Sequence, residues 1–305
     1  MQRRNFIRGT ALTSLAGLTG FSSASTSFLQ APAAATFNMD YAFHDGMFAA
    51  HAGRDFIDQI KFGHEHGFRS IEDNGMMGRS TEMQSKIGDT LAKLDMKMGV
   101  FVITTDSWHW KLSLTTGKQE FKDVIVRDCK TAVEVAKRCN AKWMTVVPGN
   151  FDRSIPLDIQ TAHVIDALRR GTEILEKHGL VMVLEPLSDN PDLFLRYSTQ
   201  SYMICKAVNS PSCKILFDMY HMQRNEGNIM ANIDKTWEEI GYFQIGDNPG
   251  RNEPTTGEMN YKNIFKHIHK KGFRGIMGME HGNSIKGKEG ELALIKAYRD
   301  SDSFL

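Results

Sequence analysis

Short apolar segments alternate with longer segments of helical periodicity along most of the chain. The short segments are typical of buried strands, and in the longer segments apolar residues recur every three or four positions, as on one face of a helix. The predicted strands lie near residues 37–43, 68–71, 98–103, 143–147, 181–184, 214–217, 242–245 and 275–279. The predicted helices lie near residues 54–66, 81–94, 120–138, 157–177, 199–208, 228–239, 261–269 and 289–299. Strands that alternate with helices form parallel βαβ units, so the pattern predicts an α/β protein.

The number of these units favours a closed (β/α)₈ TIM barrel that forms a single domain over residues 36–305. Such barrels have ~250 residues. The alternative is an open doubly wound sheet, which usually carries a glycine-rich G-x-G-x-x-G turn after its first strand. Here the first predicted strand runs into Tyr41-Ala42-Phe43-His44-Asp45, where that turn is absent. We therefore predict the barrel.

Residues 1–35 have a different pattern, which is typical of an export signal. The segment starts with the twin-arginine motif Arg3-Arg4-Asn5-Phe6-Ile7-Arg8, continues with a mildly apolar stretch over 9–21, and ends in small residues with Ala-x-Ala cleavage options. The apolar stretch is shorter than the ~20 residues that a membrane span needs. We therefore predict twin-arginine export of the folded protein to the periplasm or beyond, without a membrane span in the mature chain. A disordered tail is the alternative.

Composition excludes several classes of protein and partner. Hydrophobic residues make up 41% of the chain and charged residues 24%, as in ordinary globular proteins. With 37 basic and 36 acidic residues the net charge is +1, so no basic field attracts nucleic acid, and we expect no nucleic-acid partner. The four cysteines form no C-x-x-C motif and are predicted to be buried thiols. An oxidising compartment permits one disulfide, but the sequence does not identify the pair among Cys129, Cys139, Cys205 and Cys213.

Candidate metal ligands follow the last four predicted strands. The carboxyl ends of barrel strands form the rim that carries the active site, and each of these strands delivers an oxygen-bearing side chain there: Glu185, Asp218, Gln244 and Glu280. Taken singly, Glu185 is equally well explained as a helix cap or an ion-pair partner, and Asp218 as a helix cap. Taken together, three converging carboxylates repel one another, and one divalent cation neutralises them. An oxygen-rich set favours Mg²⁺ or Mn²⁺, with Co²⁺ or Zn²⁺ as alternatives.

Other polar and aromatic residues are candidates for substrate binding on the same rim. His221 lies three residues after Asp218, close enough to flank the same ion or a substrate hydroxyl, and Arg251 lies in the long polar loop after the seventh predicted strand. A guanidinium at this position suits a substrate carboxylate or a polarised oxygen. Trp108 and His109 follow the third predicted strand, where aromatic rings form either a wall for a sugar or packing under the helices. Asn74, after the second strand, is a further candidate.

The four candidate ligands, spaced by 33, 26 and 36 residues, resemble the metal ligands of the hydroxypyruvate isomerase family, a branch of the xylose isomerase-like barrels. The most specific match is the loop Asp247-Asn248-Pro249-Gly250-Arg251-Asn252-Glu253-Pro254, followed by Gly257-Glu258-Met259-Asn260-Tyr261. The similarity covers roughly residues 37–299. Two positions depart from the family pattern: Thr255 stands where we expect glycine, and Glu280-His281-Gly282 is not the usual sequence after the eighth strand.

The resemblance implies a metal-dependent isomerase of the aldose–ketose type that acts on a small hydroxycarbonyl compound, such as hydroxypyruvate, tartronate semialdehyde or a sugar. Glu185 and Glu280 would be the catalytic pair and would transfer a proton through a cis-enediolate. His221 and Arg251 would hold the oxyanion or a terminal carboxylate of the substrate. Two alternatives stay open: a ketose 3-epimerase of free hexuloses, and an exported sugar-binding barrel without catalysis. The sequence also leaves a homo-oligomer open.

Overall fold

Eight parallel strands close into a barrel in the computed structural model, which describes residues 36–103 and 111–305. The strands follow one another around the barrel in chain order, and β1 pairs with β8 to close it. Their bounds are Asp40–His44 (β1), Ser70–Glu72 (β2), Lys97–Val102 (β3), Ala141–Val146 (β4), Val181–Leu184 (β5), Cys213–Asp218 (β6), Ile240–Gln244 (β7) and Ile276–Gly278 (β8). The prediction of a TIM barrel is confirmed.

Helices follow the strands and form the outer layer of the barrel. Their bounds are Ala49–Ala52 (α1), Phe56–Glu65 (α2), Thr81–Lys93 (α3), Gln119–Cys139 (α4), Leu157–Leu175 (α5), Ser198–Val208 (α6), Met219–Asn225 (α7), Ile229–Thr236 (α8), Tyr261–Lys270 (α9) and Gly287–Asp302 (α10). The sequence pattern did not predict α1 and α7. Both are too short to show a helical period, and α7 starts directly after the last residue of β6.

Side chains along each strand point alternately into the barrel and towards the helices, which gives two hydrophobic layers. In β6, for example, Leu216 packs inside the barrel, whereas Phe217 packs outward against the helices. The inner layer draws its buried members from strands alone: Ala42, Val100, Val181, Val183, Leu216, Tyr242 and Ile276. Burying one such side chain stabilises the fold by about 1.5–3 kcal/mol. The packed interior leaves the carboxyl ends of the strands as the place where polar side chains gather.

Among the described residues, no helix combines the length and the apolar character that crossing a membrane requires. All four cysteines are buried thiols, as predicted, and the Sγ atoms of Cys205 and Cys213 lie 4.0 Å apart. The predicted export signal in residues 1–35 and the predicted aromatic wall of Trp108 and His109 lie outside the described residues.

Candidate metal centre

The last four strands place their oxygen-bearing residues at one end of the barrel. Glu185 follows β5 directly, Asp218 and Gln244 are the last residues of β6 and β7, and Glu280 lies two residues after β8. Asp218 and Gln244 are also direct neighbours in the register of β6 and β7. Four segments that are distant in sequence therefore end at the same rim, as the sequence predicted.

Three of the four predicted ligands meet there in one group. A carboxylate oxygen of Glu185, Asp218 and Glu280 and a ring nitrogen of His221 all lie within 4.8 Å of one another. The first two carboxylates and the imidazole are buried, whereas 21% of the Glu280 side chain is exposed. A group of this composition and spacing can hold a divalent metal ion. His221, which the sequence suggested as a neighbour of the same ion or of a substrate hydroxyl, thus lies beside the three carboxylates.

Gln244 relates to this group differently. Its Nε2 donates a hydrogen bond of 3.2 Å to Glu72, and its Oε1 is buried without a hydrogen-bond partner among the described residues. Leaving such an oxygen unpaired typically costs about 1–3 kcal/mol. A hydrogen-bond donor or a cation that binds this oxygen would remove the cost, so Gln244 fits the predicted set of oxygen ligands. Together with the three carboxylates it makes a set that suits a hard divalent cation.

The two carboxylate oxygens of Asp218 have different partners. Its Oδ1 caps α7 by accepting from the backbone N–H groups of Tyr220 at 2.7 Å and His221 at 3.4 Å. Its Oδ2 lies 3.1 Å from Nη2 of Arg251 and 3.4 Å from Nε2 of His221. The helix cap that the sequence allowed for this residue is therefore present, and it occupies only one of the two carboxylate oxygens.

Burial and the neighbouring charges disfavour the ionised forms of two of these carboxylates. Burial raises the pKa of Glu185 well above its ordinary value, and the charges of Glu280 and Asp218 add to the shift. Burial also raises the pKa of Asp218, although Arg251 opposes the shift. A cation bound in the group would offset this repulsion and favour the ionised forms of Glu185 and Asp218.

Arg251 supplies one positive charge to this group. Its Nη2 donates to Asp218 Oδ2 at 3.1 Å and to Glu280 Oε2 at 2.8 Å, and its Nε donates to the backbone oxygen of Glu280 at 3.1 Å. Its guanidinium lies 4.8 Å from the ring centre of Tyr220. Burial lowers the pKa of Arg251, but the acidic neighbours outweigh burial and raise it overall. The side chain stays cationic and ties the loop after β7 to two of the carboxylates.

The polypeptide around Arg251 is built to hold it there. The backbone N–H of Arg251 donates to the oxygen of Asp247 at 2.7 Å, and the Asp247 carboxylate accepts from Gly257 at 2.9 Å and Met259 at 3.1 Å. A Cβ on Gly257 would lie 1.8 Å from the backbone oxygen of Asn248, so only glycine fits. Thr255 has φ = 75°, which explains why glycine was the expected residue at this position.

His221 has a defined tautomer. Its Nδ1 lies 2.8 Å from Ser188 Oγ and accepts from the Ser188 backbone N–H at 3.3 Å, which places the ring proton on Nε2. That Nε2 faces Asp218 at 3.4 Å, Asp189 at 3.7 Å and Glu185 at 3.8 Å. Burial, followed by the charge of Arg251, lowers the pKa of His221 to about 4. The imidazole is therefore neutral at physiological pH and presents an N–H donor to the group.

The structure adds residues that the sequence analysis passed over or treated as secondary. Asn74 donates to Glu280 Oε1 at 2.9 Å, so both oxygens of this carboxylate are engaged, one by Asn74 and one by Arg251. Ser188 and Asp189 contact His221; their position shortly after Glu185 on the rim was the available signal. Glu72 ends β2 in the same way as the predicted ligands end their strands, but it was not singled out.

A large cavity of about 1120 Å³ lies elsewhere on the surface, between the loops after β4 and β5. Apolar residues dominate its lining, among them Phe151, Leu157, Phe194 and Tyr197, and none of the grouped carboxylates contributes to it. We therefore locate the chemistry at the carboxylate group and not at this cavity.

The fold and this group define a parallel eight-stranded barrel with a carboxylate and histidine cluster at its carboxyl-terminal rim. The sequence model of the family described as xylose isomerase-like TIM barrel matches residues 60–299. The chain belongs to this family, as the resemblance in its sequence indicated.

The chain resembles two named isomerases in sequence and an epimerase in structure. Hydroxypyruvate isomerase of Escherichia coli (strain K12) is 30% identical over 166 residues, which make up 54% of this chain and 63% of that protein. The 2-oxo-tetronate isomerase of Cupriavidus necator is 25% identical over 261 residues, or 83% of this chain and 95% of that protein. The crystal structure of a 3-keto-D-glucoside 4-epimerase from E. coli superposes with a TM-score of 0.71 at 16% identity, covering 86% of this chain and 98% of that chain. The match to the first relative thus spans less than two thirds of its length, and the likeness to the epimerase concerns the fold.

Proposed function

We propose that the protein is a metal-dependent isomerase of a small α-hydroxycarbonyl compound. The observation that carries the proposal is the meeting of Glu185, Asp218, Glu280 and His221 within 4.8 Å at the rim where barrel enzymes keep their active sites. The names of the two isomerase relatives support an isomerase and suggest hydroxypyruvate or a related keto acid as the substrate class. Glu185, Asp218, Gln244 and Glu280 would hold the ion, and Mg²⁺ or Mn²⁺ suits these oxygens best.

A divalent ion bound there would polarise the substrate carbonyl and acidify the neighbouring C–H bond. Glu185 is the better candidate for the base, because both oxygens of Glu280 accept hydrogen bonds, from Asn74 and Arg251, which lower the proton affinity of that carboxylate. The base takes the proton from carbon, which leaves a cis-enediolate of the substrate. Return of that proton to the adjacent carbon, with transfer of the hydroxyl proton between the two oxygens, gives the isomer.

The remaining side chains would orient and stabilise the substrate. Glu280 is held by Asn74 and Arg251, so its carboxylate has a fixed position within 4.8 Å of that of Glu185. Nε2–H of His221 can donate to the oxyanion that develops on the substrate. Arg251 has further guanidinium donors for a terminal carboxylate of the substrate.

Proton exchange with solvent tests the proposal. The protein is loaded with Mn²⁺ in D₂O and given hydroxypyruvate, a tetrulose and a hexulose in separate reactions, each followed by NMR. We expect metal-dependent entry of deuterium at the carbon next to the carbonyl, together with aldose–ketose isomerisation of one of the compounds. An epimerised ketose would assign the protein to ketose 3-epimerases instead. Sugar affinity that persists in EDTA without any exchange would favour a binding protein and contradict the enzyme.

We also propose that residues 1–35 direct twin-arginine export. The motif Arg3-Arg4 followed by a weakly apolar stretch and small residues supports this. Fusion of residues 1–35 to a reporter that is active only after export in folded form tests the proposal. We expect export that is lost when Arg3 and Arg4 are both changed to Lys. Export that survives this double change would contradict the twin-arginine route.

A further inference from the structure

Glu72 is a fully buried carboxylate at the end of β2, outside the predicted set of metal ligands. Its Oε2 accepts a hydrogen bond of 3.2 Å from Nε2 of Gln244 and lies 2.6 Å from Nε2 of His44. His44 is the register partner of Glu72 on β1, whereas Gln244 reaches it from β7 across the barrel interior. No step of the proposed mechanism uses Glu72, yet burying a carboxylate costs free energy.

Two glycines on other strands leave the space that the Glu72 side chain occupies. A Cβ added to Gly278 in β8 would lie 1.8 Å from Oε1 of Glu72. A Cβ added to Gly99 in β3 would lie 3.1 Å from Cγ of Glu72 and 2.3 Å from the hydroxyl of Tyr242. Larger residues at these positions would occupy the space of the carboxylate. The interior of the barrel is therefore shaped around Glu72.

The contact with Glu72 decides which end of the Gln244 amide faces the rim. A carboxylate oxygen that already lies against His44 accepts hydrogen bonds, so the amide turns its Nε2 towards it. The carbonyl end, Oε1, then points the other way and is buried without a partner among the described residues. Without Glu72 the amide can rotate by half a turn, which would present an N–H donor in place of an oxygen.

We propose that Glu72 is a positioning residue that fixes the Gln244 amide with Oε1 facing the metal centre. Its role is to orient a ligand, as carboxylates do for many metal-binding side chains. The inference rests on the metal centre of the proposed function, and it adds β2 to the strands that build this centre. His44 contacts the same carboxylate oxygen as Gln244, Oε2 of Glu72.

Mn²⁺ binding to the purified protein tests the proposal without any need for turnover. The free ion is counted by electron paramagnetic resonance during titration of the wild type, Glu72→Gln, Gln244→Ala and the double variant. We expect Glu72→Gln to weaken Mn²⁺ binding about 10–100-fold. In the Gln244→Ala background, where no amide is left to orient, the same change should have no further effect. An equal loss in both backgrounds, or no loss in the first, would overturn the proposal.

Glu291 provides a matched control. It is also a buried carboxylate 2.6 Å from a histidine ring nitrogen, that of His51, but it lies on α10 and, within the described ranges, contacts none of the proposed ligands. Glu291→Gln should leave Mn²⁺ affinity unchanged. If it weakens binding as much as Glu72→Gln does, general loss of a buried acid explains the effect and the positioning role is wrong.

A swap variant keeps the proposal testable if Glu72→Gln fails to fold. Glu72→Gln combined with Gln244→Glu exchanges the acid and the amide at constant charge and nearly constant volume. The amide introduced on β2 could then donate to the carboxylate introduced on β7, whose second oxygen would face the rim. We expect this variant to fold and to bind Mn²⁺ within about tenfold of the wild type, and loss of binding in the folded swap would overturn the proposal. Wild-type protein that binds no Mn²⁺ would overturn the metal centre as well, whereas normal binding by folded Glu72→Gln overturns only the role of Glu72.

Discussion

Arg251 donates a hydrogen bond of 2.8 Å to Glu280, and the same Nη2 atom lies 3.1 Å from Asp218. One guanidinium therefore contacts two of the three carboxylates that form the candidate metal centre. Because these carboxylates repel one another, Arg251 should stabilise the metal-free protein in particular, when no other cation compensates their charge.

We expect Arg251→Gln to lower the free energy of unfolding by about 2 kcal/mol in EDTA, since the partly exposed guanidinium is replaced by a neutral amide. Mn²⁺ should recover much of the loss. Thermal unfolding with and without Mn²⁺ checks this. A loss of the same size in both conditions would show that Arg251 acts on stability independently of the metal centre.

Glu185→Gln should remove proton transfer and leave the fold intact. The variant lacks the base, so deuterium entry into the substrate should fall by about 10²–10⁴-fold. Metal-free Glu185→Gln should also unfold at a slightly higher temperature than the wild type, because burial and the neighbouring acids disfavour the charge of Glu185. Exchange at a rate close to that of the wild type would show that Glu185 is not the base. Glu280→Gln, measured in parallel, shows whether the second glutamate is equally required.

Stability should depend on pH through His281. Its Nε2 lies 2.7 Å from the Tyr298 hydroxyl, and burial lowers its pKa from 6.5 to about 4. Between pH 6.5 and about 4 the unfolded chain binds a proton at this histidine that the folded chain does not, so stability falls as the pH falls. Over this pH range the free energy of unfolding of His281→Gln should fall by about 2 kcal/mol less than that of the wild type. Urea titrations at several pH values measure this difference. Identical slopes for the two proteins would contradict the assignment.

Oxidation should join Cys205 to Cys213 and leave the other two thiols free. Their sulfur atoms lie 4.0 Å apart, and a modest rotation of the side chains brings them into bonding distance. Mild oxidation of the folded protein followed by peptide mapping identifies the pair. A disulfide that involves Cys129 or Cys139 would contradict the packing around α6 and β6.

Thr255→Gly should stabilise the protein by about 1 kcal/mol, because Thr255 has φ = 75°, a conformation that a β-branched residue adopts only with strain and that glycine adopts freely. Thr255→Ala is the control, since alanine keeps a Cβ and most of the strain. Urea denaturation of the three proteins gives the comparison, and equal effects of Gly and Ala would show that the backbone conformation is not the cause.

The sequence predicted the barrel and the placement of the carboxylates because both follow from local patterns. The apolar segment Val181–Leu184 is a strand with the predicted bounds, and the acids at the strand ends needed only the parallel topology to meet. Short helix α7 escaped notice because its seven residues show too little periodicity. Asn74 and Glu72 depend on partners that are distant in sequence, Glu280 and Gln244, and no local pattern encodes which oxygen of a carboxylate or which end of an amide is engaged.

The central claim is that four neighbouring strands hold one divalent ion, and anomalous diffraction from a crystal soaked in Mn²⁺ tests it most directly. The account predicts a single strong peak in contact with carboxylate oxygens of Glu185, Asp218 and Glu280 and with Oε1 of Gln244. No peak at this rim, or a peak that contacts none of these oxygens, would contradict it.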